Sequence, residues 1–365
     1  YPRGSLALSG SNLFGATYYS GATTTPYGES YGFGGALFKV DTNGANFTIL
    51  RSFTNSNDGW YPNGVVTADG QTLYGSSQAG GTNGSGTVFK FSSDGSSFTT
   101  LRTFSGADGL APYVCPLPVG GLLYGTTFRG GISNYGVIYR MDTNGGGHTV
   151  LKSFTGPTGA LPTSSLLLDG NSLYGTAYSG GSSNYGTIFK MVTNGTGYSV
   201  LRNLSINDGT YPAGGLVVGG STLYGVAPSG GNSSVGTVFK LATNGTGFSV
   251  LKHFGFSDAI TPVGGLVQVG GSLYGATYAG STNGLGSLFK VSTNGTGYTL
   301  LLNFARTNGN NPAGNLTAVG NKLYGSARSG GSGGYGVIFT INTDGTGYKA
   351  LKNYTLTSGA GPHGD

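Results

Sequence analysis

Apolar residues in this chain fall in short runs separated by glycine, not in helical stripes. Between residues 214 and 254 the segments GGLVV, STLYGVA, GTVFKLAT and FSVLKHF follow one another, divided by Gly-Gly, a loop of Gly, Ser and Asn, and Asn-Gly-Thr-Gly. Runs of this length, rich in Val, Tyr, Phe and Thr and bounded by turn residues, predict strands. Asn-Gly at Asn194, Asn244 and Asn294, with Asp-Gly at Asp94 and Asp344, is the chemistry of tight hairpins, because these residues accept positive φ at low cost. The segment therefore predicts four antiparallel strands over 214–218, 221–227, 236–243 and 248–254.

The same pattern recurs along the whole chain. Leu-Tyr-Gly, or Leu-Phe-Gly in its first copy, begins at Leu13, Leu73, Leu123, Leu173, Leu223, Leu273 and Leu323. The first spacing is 60 residues and the other five are 50, so the first unit carries an insertion of ten, at about 20–34. Units of this size containing four strands predict an all-β, seven-bladed β-propeller with a closed ring, and residues 1–365 form one such domain. Pro2 and Pro362 lie 360 residues apart, as seven units of 50 plus ten require of a circle.

The blade pattern resembles the GloVer tandem-repeat family of exported bacterial proteins, in which LYGTT, a Gly-Gly loop, GTIFK and a final LxxF recur. LYGTAYSGGSSNYGTIFK at 173–190 carries the pattern most fully. The resemblance implies a bacterial, secreted or surface-held protein. It implies no reaction.

Composition narrows the function without naming it. Charged residues make up only 8% of the chain against 74 glycines and 24 tyrosines, and the formal net charge is +6. Such scarcity of charge, with much Tyr, Asn, Ser and Thr, fits an exported protein and predicts an extracellular or cell-surface location. No run is long enough to span a membrane as a helix. Eleven Asp, one Glu and three His offer no metal-binding spacing and no paired catalytic carboxylates, so no metal, no cofactor and no catalytic residue is expected. Twelve of the eighteen basic residues belong to the repeat, among them Lys190, Lys240, Arg102 and Arg202. They predict a dilute, solvated ring of charge unsuited to nucleic acid, with contact to an acidic polysaccharide as the sharper alternative.

In a four-stranded meander the loop between strands two and three shares a face with the link to the next blade, and here those are the long, variable connections. This loop face is the expected binding surface. Its candidates are Asn134, Tyr135, Asn184 and Tyr185 in the loops, and Asp58, Asp108, Asp208, Tyr61 and Tyr211 in the links. Two departures from the repeat join them: the insertion with Tyr27, Glu29 and Tyr31, and the single tryptophan, Trp60. Aromatic planes beside amides and carboxylates suit sugars, which present a C–H face and directional hydroxyls. The expected function is a non-catalytic, lectin-like module binding glycans or cell-surface polysaccharide. The alternative is a structural or adhesive scaffold for other surface proteins, in which Asn and Asp only shape turns, and a polysaccharide-active enzyme stands third.

Overall fold

The computed structural model describes residues 5–18, 34–53, 57–67 and 71–355. Tyr27, Glu29 and Tyr31 lie outside the described residues. Seven sheets of four antiparallel strands follow one another in chain order, forming a seven-bladed β-propeller. In blade 4 the strands are Leu167–Asp169, Ser172–Ala177, Thr187–Val192 and Ser199–Asn203. The predicted strand limits hold to within a residue or so in blade 5, except for the first strand. It covers only Val217–Gly219, and Gly215 before it lies at the ring axis.

The repeated words of the sequence are pairing instructions. The glycine of Leu-Tyr-Gly stands opposite the aromatic residue of the third strand, as with Gly175 and Phe189 or Gly225 and Phe239. The ring lies over the bare glycine: a Cβ on Gly225 would sit 2.6 Å from Phe239 Cζ, and one on Gly175 2.5 Å from Phe189 Cζ. Tyr139 takes the same place over Gly125 in blade 3.

The buried apolar clusters lie between blades and join each to its neighbour. Tyr174 and Ile188 of blade 4 pack with Leu216, Leu223, Phe239 and Leu241 of blade 5. The seam between the last and first blades is built alike, from Tyr324, Ile338 and Tyr354 against Leu13, Phe38 and Val40. Thr317 Oγ1 donates to the Leu6 carbonyl across it at 2.6 Å. Among the described residues no strand crosses from one terminus into the other's sheet, so side-chain packing and a few hydrogen bonds close the ring.

Candidate functional site

Blades 2 to 7 each enter the ring through an X-Pro step, namely Tyr61, Ala111, Leu161, Tyr211, Thr261 and Asn311 before prolines 62, 112, 162, 212, 262 and 312. All six X residues have φ between 54° and 61°, the left-handed region that non-glycine residues rarely occupy. The strain is held by the preceding blade. The X amide donates to a loop carbonyl there, Leu161 to Tyr135 and Tyr211 to Tyr185 at 2.8 Å each. The proline ring packs on the glycine that opens the third strand; a Cβ on Gly186 would lie 2.6 Å from Pro212 Cδ. Six repetitions make this a device of the architecture. It lays X beside the end of the second strand, so that Tyr61 stacks on Tyr18 with centroids 4.7 Å apart and Tyr211 on Tyr178 at 5.1 Å. Tyr185 meets the edge of Tyr211 at 6.1 Å, which brings two of the sequence-predicted tyrosines together with one that was not predicted.

The predicted carboxylates have a different occupation. Asp58 pairs with Arg51, Asp108 with Arg102, and Asp208 with Arg202 at 2.7 Å, while Lys252 and Asp258 do likewise at 2.6 Å. Asp108 and Asp208 also accept from the backbone amides of Ser105 and Ser205, closing the turn of the link. The basic partners lie over aromatic rings of the following blade, Arg51 4.0 Å from the Phe98 centroid and Arg202 4.5 Å from that of Phe248. The fourth-strand bases are thus half-buried members of blade junctions, and not the solvated ring of charge that their spacing suggests. Asn134 and Asn184 adopt φ of 57° and 58° and accept from Gly130 and Gly180 at 2.9 Å, which fixes their loops. Tyr135 is 43% exposed, and Trp60 begins the first strand of blade 2, opposite Ala79.

The Asp108 pair gives the stability a pH dependence. Burial alone would push the Asp108 carboxyl up, but the hydrogen bonds from Arg102 and from the amide and hydroxyl of Ser105 outweigh it and hold the group below its ordinary value. A depressed carboxyl contributes stability that is present above the unfolded value of about 3.9 and lost as pH falls through the lower folded value. Asp108→Asn is therefore expected to lower stability at pH 7 by roughly 1 kcal/mol or less, solvent screening keeping the effect small. Melting curves should show the gap to the parent narrowing below about pH 4; a gap that widens in acid contradicts the assignment.

A further feature lies on the ring axis, where residues of all seven blades converge. A channel of about 550 Å³ takes lining residues from every blade, among them Leu6, Asn63, Tyr113, Thr163, Ala213, Val263 and Asn315. Its wall is uneven. Blades 3 and 4 contribute Tyr113, Val114, Cys115 and Thr163, whereas blades 5 to 7 present glycine backbone at Gly215, Gly264 and Gly314. Tyr178, Tyr278 and Arg328, from the second-strand ends of blades 4, 6 and 7, line it as well. Polar links run around it: Tyr18 Oη donates to Gln78 Oε1 at 2.7 Å, Gln78 Nε2 to Asn63 Oδ1 at 3.0 Å, and Asn63 Nδ2 to the Pro112 carbonyl at 3.0 Å. Cys115 as a residue is partly exposed, but its thiol is enclosed by protein and burial pushes it up to about 12, so it is not a ready nucleophile. Among the described residues no group of three or more His, Cys, Asp or Glu is placed to hold a metal ion, and no helix is long and apolar enough to cross a membrane.

Sequence reasoning passed over these channel residues. The signal was a fixed position five residues after each Leu of the repeated triplet, which reads Tyr18, Gln78, Phe128, Tyr178, Pro228, Tyr278 and Arg328. It varies more than its neighbours, yet it lies at a strand end, where variation reads as the beginning of a loop.

The pattern of the Gloeobacter/Verrucomicrobia repeat matches residues 1–189 and 166–365. The chain belongs to this repeat family. No protein of curated function matches the sequence. Among solved structures, the repeat protein is similar to a candidate 6-phosphogluconolactonase from Bacteroides uniformis, at 14% identity and a TM-score of 0.61, over 93% of this chain and 95% of that one. It is also similar to a puromycin-hydrolysing peptidase of Mycobacterium tuberculosis, at 10% identity and a TM-score of 0.61, over 96% of this chain and 53% of that one. A prolyl endopeptidase matches at 10% identity and a TM-score of 0.60, over 94% of this chain and 48% of its own. The chain thus spans about half the length of the two peptidases, and at these identities the likeness is one of fold alone. A propeller of this repeat family fits a binding or scaffold module.

Proposed function

We propose that the protein is an exported, non-catalytic binding module that recognises glycans where the loop face meets the central channel. The observation that carries this reading is the stack of Tyr178 on Tyr211, edged by Tyr185, at the rim of a channel lined with hydroxyls and amides. Rigid aromatic planes beside convergent polar groups match the two-sided chemistry of a sugar ring. The loop-face carboxylates Asp58, Asp108 and Asp208 are already engaged by arginines, which favours binding over acid–base work. Export and a surface location rest on composition and on the family resemblance.

A protein-docking scaffold is the second reading, and a specific observation favours it. Ile132, in a loop, and Phe256, in a link, are 93% and 75% exposed on this same face, more than an isolated module has reason to show.

A broad glycan array with the purified protein separates the two. The lectin reading expects a limited set of bound glycans, no new reducing ends on prolonged incubation, and a loss of roughly tenfold in affinity for Tyr211→Ala. Alanine already stands at this position in blade 3, as Ala111 with φ of 54°, so the substitution leaves the backbone intact. Silence across the array would sink the lectin and leave the scaffold.

A further inference from the structure

We propose that the central channel selects uncharged 6-deoxy sugars, whose methyl group packs against an apolar sector of its wall; this rests on the glycan-binding reading above. The residue after the proline of each X-Pro step lines the channel, and its chemistry changes around the ring. It is Asn63, Tyr113 and Thr163 in blades 2 to 4, but Ala213, Val263 and Ala313 in blades 5 to 7. Three consecutive blades therefore offer only methyl groups at this position, beside the bare backbone of Gly215, Gly264 and Gly314. A hydroxymethyl group pressed against such a sector gives up its water and gains no side-chain partner, whereas a methyl group loses nothing there. The described lining includes no Asp or Glu, and Arg328 is already engaged, donating to Tyr278 Oη at 3.2 Å, lying over that ring and meeting a further partner besides. The channel thus suits a ligand without charge.

The hydroxyls of such a sugar find partners elsewhere in the wall. Ser5, Tyr113 and Ser165 line the channel, are partly exposed, and make no side-chain hydrogen bond among the described residues. Asn315 adds an oriented donor. It departs from the neighbouring units, whose equivalent residues are Gly215 and Gly265. Its Oδ1 accepts from the Gly265 amide, which leaves Nδ2 on the other side, 3.9 Å from where a Cβ of Gly215 would lie and without a partner among the described residues. An amide pinned at its oxygen presents its N–H groups in a fixed direction, as a sugar hydroxyl or ring oxygen requires. A pyranose with a methyl group at one corner and hydroxyls at the others meets both parts of this wall, and about 550 Å³ falls in the range of small-molecule sites.

The deciding measurement is calorimetric titration with methyl glycosides in matched pairs that differ by one hydroxyl: L-rhamnose and L-mannose, L-fucose and L-galactose, 6-deoxy-D-glucose and D-glucose. One of the 6-deoxy sugars is expected to bind and its hydroxymethyl counterpart to bind roughly 10- to 100-fold more weakly. Val263→Thr sets a hydroxyl in the apolar sector with little change of shape and should remove most of this preference. Its melting temperature should stay near that of the parent, because threonine already fills this position in blade 4 as Thr163. Ala213→Ser, on the neighbouring blade, should act in the same direction. Asn315→Asp keeps an acceptor for the Gly265 amide and removes the donor, so it should weaken both members of the pair by roughly tenfold and leave the preference between them. Pair members bound alike, a tighter hold on the hydroxymethyl sugars, a preference untouched by both Val263→Thr and Ala213→Ser, or binding undiminished in Asn315→Asp overturns the proposal. Other glycans bound on the array with none of these sugars bound overturns it while the lectin reading stands, and no binding to any glycan removes both.

Discussion

Phe239→Ala is expected to destabilise the ring by about 3–5 kcal/mol, the range for removing a large aromatic side chain from a closed core. Phe239 is fully buried, covers Gly225, stacks on Phe248 with centroids 5.7 Å apart, and belongs to the cluster that joins blade 4 to blade 5. The loss has two parts, the transfer of the ring and the cavity left behind. The cavity part should be large here, because the Gly225 side has no atoms with which to collapse into it. Chemical denaturation of the variant beside Phe256→Ala makes the comparison internal. Phe256 is 75% exposed and its removal should change stability by about 0.5 kcal/mol or less. Equal effects at the two positions would show that the blade seams do not carry the stability of the fold.

Gly264→Ala should also cost several kcal/mol, through the backbone of the channel wall. Gly264 has a φ of 66°, and a Cβ there would run into the carbonyl of Gly314 in the next blade. The left-handed conformation alone costs a non-glycine residue about 1–2 kcal/mol. Overlap with a backbone atom adds about 1–3 kcal/mol, because nothing flexible can move aside. Gly320→Ala separates the two contributions. It has a φ of 58° and open space where the Cβ would go, so it should show the conformational cost alone. If both variants melt together, the close approach of blades 6 and 7 is not a constraint on the fold. If Gly264→Ala is the less stable, the channel is narrow because its wall is glycine, and its bore is set by backbone.

Much of the fold was legible in the chain because the units face identical neighbours. Leu-Tyr-Gly and the third-strand Phe recur because each blade must set the same aromatic ring over the same bare glycine and bury it against the blade before it. The hairpins were legible from Asn-Gly and Asp-Gly for a local reason: positive φ after the turn residue is a property of two adjacent residues. The candidate site was legible only in part. Tyr185 and Tyr211 do meet, but 26 residues apart and through a Tyr-Pro step whose left-handed φ no propensity favours. Asp108 and Asp208 read as ligand groups, yet a basic residue six positions earlier on the fourth strand claims each of them.

The sequence by itself determined the blade: its four strands, its turns, its number and its closure, since these follow from periodicity and from contacts repeated in every unit. The tertiary structure alone decided what stands on the axis. Asn63, Thr163, Asn315 and Arg328 are scattered through three units, and no local pattern relates them. They share a wall only because seven sheets closed into a ring turn the start of every first strand and the end of several second strands toward one point.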